Sequence, residues 1–128
     1  GVYITGKMFS SGIYTADAFS KSMNYCAPEI SDNIGVLLLC EVALGTPAKR
    51  TNADYYISKK SLEKEGCHST WGMGTSAPCS KITLKNKVVV PNGKLQNTSL
   101  KSSLLYDEFV IYDSNQISLK YLVVVKKI

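Results

Sequence analysis

The sharpest periodic signal along the chain is a helical stripe of Phe19, Met23 and Cys26. At about 100° per residue these three share a face, and Asp17, Ser20 and Asn24 fall on the opposite, wet one. The spacing predicts a short helix from Ala16 to Cys26. Gly12 would allow a positive φ in the tight turn before it. Thr15 is the candidate N-cap, with Asp17 in the first turn, and Ala27-Pro28-Glu29 closes the helix. Ser22 and Tyr25 are three apart and so neighbours on one flank, at the border of core and solvent, where a cleft wall would lie. Tyr14 is within reach of the same place.

Elsewhere the pattern is that of strands. Ile34 to Leu44 is a near-continuous apolar run bounded by Gly35 and Gly45, and it reads as a strand buried on both faces. Within it Glu41 is expected near an exposed end or paired with a lysine. The stretch from Thr46 to Ser80 is polar and irregular, with a short strand expected near Tyr55-Tyr56-Ile57 and Trp71 read as a core plug. Ile82-Thr83-Leu84 and Val88-Val89-Val90 predict a hairpin or sheet edge. Pro91-Asn92-Gly93 reads as a turn, and Lys94 to Ser103 as a polar loop. Glu108 to Asp113 and Gln116 to Val125 read as an antiparallel pair joined through Asp113-Ser114-Asn115. In the last strand Ile117, Leu119, Tyr121, Val123 and Val125 share a face at period two. One helix among many strands gives an α+β class.

Length and charge narrow this picture. The 128 residues predict one domain with a real core. No apolar run is long enough for a bilayer-spanning helix, and Gly1 to Lys7 has no signal-peptide pattern, so no membrane partner is expected. The net charge is +5, from lysines dispersed along the chain and not interleaved with aromatics, which reads as a solvated surface rather than a nucleic-acid patch. Cys26, Cys40, Cys67 and Cys79 form no Cys-x-x-Cys pair, so no metal site is signalled and free thiols in a reducing compartment are expected. Asn97-Thr98-Ser99 matches the glycosylation sequon, taken as coincidence without a secretion signal.

The candidate chemistry lies at two places. A hydroxyl (Ser22) flanked by two aromatic rings (Tyr14 and Tyr25) suits a flat, amide-bearing ring. Glu108 opens a strand in which it shares a face with Val110 and Tyr112, neither side being plainly solvated. From the residues alone it reads as a satisfied strand-end carboxylate. His68, the single histidine, reads as a structural or rim residue rather than a catalytic base.

Phe9-Ser10-Ser11-Gly12-Ile13-Tyr14-Thr15-Ala16-Asp17 with Ser20-Lys21-Ser22-Met23-Asn24-Tyr25-Cys26 resembles the NAD-binding segment of poly(ADP-ribose) polymerase catalytic domains. Ile34 to Gly45, His68 to Gly74 and Tyr106 to Asp113 resemble later blocks of the same family in the same order. The resemblance covers nearly the whole chain and is nearest the nuclear, DNA-damage-responsive members. It implies the ADP-ribosyltransferase fold: two packed antiparallel-rich sheets with a helix bordering an NAD cleft.

It also implies roles. NAD+ is the substrate and acceptor proteins, the enzyme itself included, are the partners; DNA is met only through other domains, and no metal is needed. Ser22 would bond the carboxamide, Tyr25 stack on the nicotinamide and Tyr14 close the other side, with Lys21 and Gly12 lining the site. Glu108 would bond the ribose, stabilise its cation and orient the acceptor, so Glu108 and Tyr25 are the catalytic expectations. Met8 and Tyr106 match acceptor-side positions. A Glu at this place goes with polymer formation.

The family's His-Gly strand upstream of the helix has no match here, and Ser11 stands where close relatives often carry a lysine. The expectation is therefore the C-terminal part of a catalytic domain, inactive by itself and completed by the upstream half. A non-catalytic NAD- or ADP-ribose-binding module is the alternative. A secreted mono-ADP-ribosyltransferase toxin fits less well, since no signal segment is read and the cysteines are unpaired.

Overall fold

The computed structural model describes residues 7–26, 32–126 and 128. The strands are β1 (Ile13–Thr15), β2 (Ile34–Val42), β3 (Pro47–Arg50), β4 (Ser69–Gly72), β5 (Ser76–Thr83), β6 (Val89–Asn97), β7 (Glu108–Ile111) and β8 (Ile117–Lys126). Two short helices, α1 (Phe19–Met23) and α2 (Lys59–Lys64), and a 3-10 turn at Ser114–Gln116 complete the described elements. The class is α+β, as the sequence predicts. The strands form one four-stranded sheet in the order β1-β7-β4-β3 and two ribbons, β2-β8 and β5-β6. All pairings are antiparallel except β3 with β4.

The core lies under the four-stranded sheet. Phe9, Ala48, Ile57, Leu62, Leu104 and Val110 form its buried cluster, with Met8, Tyr14, Cys67 and Tyr112 packed against it. β7 runs between β1 and β4, so it is covered on both sides, and Val110 and Ile111 are fully buried. This is the strand that Glu108 opens.

The expected β7–β8 pair does not form. Asp113 caps the 3-10 turn by accepting from the Asn115 N–H (2.9 Å), and beyond it the chain leaves the sheet. β8 then pairs along its length with β2. A register shift at Leu39/Cys40 breaks the period-two face expected along β8: Tyr121 opposes Leu39, whereas Leu119 opposes Cys40. β2 is a strand as expected, but it is not buried on both faces. Gly35 is buried against Met23 and Cys26, whereas Val36, Leu38 and Leu39 are at least half exposed. Apart from this contact with the end of α1, the β2-β8 ribbon is largely open among the described residues.

Around the first helix the departures are local. α1 starts at Phe19, with Ala18 as an N-cap lacking any side-chain bond. Thr15 belongs instead to β1 and donates its hydroxyl to the Phe109 carbonyl (2.9 Å). Ser20, Ser22 and Asn24 are weak helix formers, and the helix ends at Met23. Phe19 is exposed, and Asp17, expected on the wet face, has a carboxylate oxygen buried without a partner among the described residues. Ala27-Pro28-Glu29 and the glycine at position 6 lie outside the described residues.

Tyr55-Tyr56-Ile57 is not a strand; it leads into α2. Ser58 accepts from the Ser61 N–H and Ser61 accepts from the Ser58 N–H, a capping box. Ile57 before the cap and Leu62 in the first turn are both buried, a hydrophobic staple. The predicted hairpin exists as β5-β6 but runs longer. Pro91-Asn92-Gly93 lies inside β6, at a register shift opposite Pro78/Ser80, where Gly93 takes φ 86°. A Cβ there would stand 2.7 Å from Cys79 Sγ and Ser80 Oγ, so the turn-like residues encode a bulge. Glu41 behaves as expected, 3.6 Å from Lys120 Nζ.

Candidate active site

Glu108 is 4% exposed at the start of β7. One carboxylate oxygen, Oε1, is 2.9 Å from Lys21 Nζ on α1. The other, Oε2, is buried with no protein partner among the described residues. A buried carboxylate oxygen without a donor is costly unless something supplies one. Burial, one balanced oxygen and one spare acceptor are what a ligand hydroxyl would need.

Lys21 links this carboxylate to the tyrosine beyond the helix. Its ammonium lies 5.9 Å from the Tyr25 ring centroid, within cation–π range. Tyr25 is largely exposed, its N–H donating to the Ser22 carbonyl (3.2 Å). Ser22 is half-buried in α1 with its backbone N–H on the Ala18 carbonyl (3.3 Å). Lys21, Ser22 and Tyr25 thus stand on one short helical turn beside Glu108.

Tyr14 borders the same corner from β1, opposite Val110 of β7. Its hydroxyl donates to the Ser10 carbonyl (2.6 Å) and accepts from the Phe9 N–H (3.0 Å). The hydroxyl is therefore committed to the loop, and the ring is what remains for a ligand. Burial is the main cause that raises its pKa, with the nearby Glu108 charge adding to it. Tyr112 braces that loop from the other side, donating to the Phe9 carbonyl (2.8 Å) and touching Thr70 Oγ1 (3.0 Å); burial pushes its pKa to about 12.

Gly12 is needed, though not for a positive φ. A Cβ at this position would lie 2.6 Å from Val110 Cγ1 and 2.9 Å from the Ile111 carbonyl, so the glycine lets the loop press onto β7. Met8 packs its side chain against the core, and its carbonyl accepts from the Asp54 N–H (2.8 Å). Tyr106 is half-buried two residues before Glu108 and bridges to Ser76.

Two carboxylates that the sequence did not mark stand nearby. Asp107 is 4% exposed and accepts from Trp71 Nε1 (3.0 Å) and the Gly74 N–H (2.7 Å). Trp71, half-buried rather than a plug, stacks on Phe109 with centroids 5.7 Å apart. Asp17 has its carboxyl raised to about 6, by burial first and by the Asp107 charge second. The local pattern carries no signal of the bonds that Asp107 makes. His68 lies elsewhere, in a cleft beside Leu62, Cys67 and Lys59, with Nδ1 accepting from the Thr46 N–H (2.9 Å), a rim residue.

A family profile described as poly(ADP-ribose) polymerase catalytic domain matches residues 2–127. The chain belongs to that family. It is 45% identical over 125 residues to poly(ADP-ribose) polymerase 1 of Danio rerio, covering 96% of this chain and 12% of that protein. It is 44% identical over 126 residues to poly(ADP-ribose) polymerase 2 of Arabidopsis thaliana, covering 96% and 19%. Against poly(ADP-ribose) polymerase 2-A of Oryza sativa subsp. japonica it is 48% identical over 122 residues, covering 92% and 18%. The chain therefore spans less than a fifth of the length of these relatives.

The described residues contain no cluster of three His, Cys, Asp or Glu side chains able to hold a metal, and no helix long and apolar enough to cross a membrane. The four cysteines are free.

Proposed function

We propose that this chain is part of an NAD+ ADP-ribosyltransferase that builds poly(ADP-ribose) on acceptor proteins, itself included, and releases nicotinamide. The observation that carries the reading is Glu108, buried on β7 with Oε1 on Lys21 and Oε2 free. Membership of the polymerase family supports it. We infer from the same kinship a nuclear location and a part in the response to DNA damage, with DNA met through other domains.

The transferred ribose passes through an oxocarbenium-like state, as in glycoside chemistry. The bond between the ribose C1′ and the nicotinamide nitrogen breaks, and its electron pair leaves with the nicotinamide. The acceptor oxygen forms the new bond to C1′, and its proton passes to the Glu108 carboxylate and on to solvent. Glu108 Oε2 accepts from a ribose hydroxyl, and its charge faces the developing cation. Lys21 holds Oε1 and so fixes the carboxylate's direction. Tyr25 and the Tyr14 ring hold the nicotinamide flat, with Ser22 Oγ on its carboxamide and Gly12 keeping the loop close. Met8 and Tyr106 are assigned to the acceptor side by their match to family positions.

The test uses the intact enzyme and a nicotinamide-like inhibitor. Tyr25→Ala weakens it by about 1–3 kcal/mol, the sum of lost stacking and lost burial, while Tyr25→Phe costs little. Unchanged affinity in a folded Tyr25→Ala enzyme removes the ring from the nicotinamide site.

A further inference from the structure

The charge of this chain is not spread evenly. Residues 66–106 contain five lysines and no Asp, Glu or Arg. Outside them ten cations balance ten anions, so the whole net charge of +5 resides in this segment. Most of it is the β5-β6 hairpin, whose eight-residue β5 extends about 27 Å at strand rise. Lys81 is on β5, Lys85 and Lys87 are in the turn at the tip, Lys94 is on β6, and Lys101 follows the hairpin's base. All five are exposed, and none forms an ion pair among the described residues.

The base of this hairpin is fastened to the segment that ends at Glu108. Ser76 bridges to Tyr106, and the N–H groups of Thr75 and Ser76 donate to the carbonyls of Leu104 and Leu105, each at 2.9 Å. Gly74 donates to Asp107, and Thr98 Oγ1 donates to the Gly74 carbonyl (2.7 Å), closing the base. The row of lysines thus leads away from the place where chain growth is proposed.

We propose that the β5-β6 hairpin holds the growing poly(ADP-ribose) chain, its lysines pairing with successive pyrophosphates. This rests on the transferase reading above. Each unit of that polymer brings a diphosphate, and lysine ammoniums are point-charge partners for phosphate. The hairpin carries no Phe, Tyr or Trp from residue 76 to residue 97, so it lacks the stacking platform of a single-strand nucleic-acid reader. Attachment beside Glu108 places the lysines where the nascent polymer emerges, so during synthesis the product meets them at high local concentration.

The experiment uses the intact enzyme and its triple variant Lys81→Gln, Lys85→Gln, Lys87→Gln. Purified poly(ADP-ribose) of defined length and single-stranded DNA with the same number of phosphates are bound over a salt series. The expected result is a roughly tenfold loss of polymer affinity at low salt, with the salt slope smaller by about 2, as three released contacts imply. Single-stranded DNA, met through other domains, loses little affinity in the triple variant. Replacing the same lysines by arginine restores polymer binding. The first transfer keeps its rate, and the chains made by the triple variant are shorter. Unchanged polymer affinity and slope in the triple variant overturn the proposal, as does an equal loss of affinity for single-stranded DNA. An enzyme that makes no polymer from NAD+ refutes the transferase reading instead; binding of polymer prepared elsewhere is read independently of that outcome.

Discussion

Two lysine–carboxylate pairs of nearly equal length stand in opposite surroundings. Lys21–Glu108 measures 2.9 Å and Lys59–Asp113 measures 2.8 Å. Glu108 is almost wholly buried and keeps an oxygen without a donor. Asp113 is partly exposed, bonds Lys59 with one oxygen and the Asn115 N–H with the other, and lies below the usual carboxylate range because of Lys59. Contact distance does not separate the two. What separates them is solvent and saturation: the Asp113 carboxylate has a protein donor on each oxygen and screening water around it, so its pair is a surface brace. Glu108 has neither, and its spare oxygen can answer a ligand.

The sharpest way to break this comparison is turnover. Glu108→Gln keeps size and removes charge, and it is expected to lower NAD+ turnover in the intact enzyme by about 10²–10³. NAD+ affinity changes far less, because the interaction is made mainly in the transition state. Asp113→Asn leaves turnover within experimental error. Assays with labelled NAD+ that show equal losses from the two variants erase the distinction between the pairs.

Next comes stability. Lys21→Ala leaves a buried carboxylate without its cation, and the expected loss is about 2–3 kcal/mol, below that of fully buried pairs because Lys21 itself reaches solvent. Lys59→Ala lowers the unfolding midpoint of the enzyme's catalytic domain only slightly. Denaturant unfolding of the two variants side by side reads this directly. A silent Lys21→Ala means that water reaches Glu108 freely.

How much of this was legible depends on the range of the interaction. The strands β2, β7, β8 and the β5-β6 hairpin follow from local apolar runs and alternation. The partner of β8 does not, because strand pairing is set by contacts distant in sequence, and the 3-10 turn capped by Asp113 diverts the chain. Likewise the composition of β2 says apolar but not covered. α2 was not legible either: Tyr55-Tyr56-Ile57 read as a strand, and the Ser58 cap is closed by Ser61 where the sequence signature has Glu or Gln. Gly93 carries a turn signature that serves a bulge, a distinction only the opposite strand makes. Ser22 and Tyr25 were marked by helical spacing, Lys21 and the role of Glu108 through family resemblance, and the structure brings the four to one corner. That Tyr14 spends its hydroxyl on the Phe9–Ser10 loop, and that Asp17 and Asp107 gather beside the site, no periodicity announces.

A smaller effect is expected from Asp107, the neighbour of Glu108 and its internal contrast. Both are 4% exposed, but Asp107 has a donor on each oxygen, Trp71 Nε1 and Gly74 N–H. Asp107→Asn turns one acceptor into a donor, so one of these partners loses its bond. The expected cost is about 1–2 kcal/mol in stability, with the turnover of the folded enzyme little changed. Turnover falling as far as in Glu108→Gln would make Asp107 part of the chemistry.

The last contrast is in the sign of a pH dependence. Asp17 titrates near pH 6 in the fold, raised from the ordinary 3.8 by burial and by Asp107. Below about pH 4 it is protonated both folded and unfolded, and its contribution to stability is fully present. Between pH 4 and 6 the folded chain holds a proton that the unfolded chain has released, so stability falls as pH rises. Above pH 6 the charged, partly desolvated carboxylate costs about 1–2 kcal/mol, part of its surface being screened by solvent. Asp113 runs the other way: its carboxyl is held below the ordinary value by Lys59, so its contribution is present above that value and is lost as pH falls. Asp17→Asn should therefore raise the unfolding midpoint at pH 7, leave it unchanged at pH 3.5, and flatten the profile in between. Asp113→Asn should lower the midpoint slightly at pH 7 and approach the parent in acid. Thermal unfolding of both variants across pH 3.5–7 decides it. Parallel profiles for parent and Asp17→Asn would mean that the carboxylate reaches water, leaving Glu108 with the only desolvated orphan oxygen described at this corner.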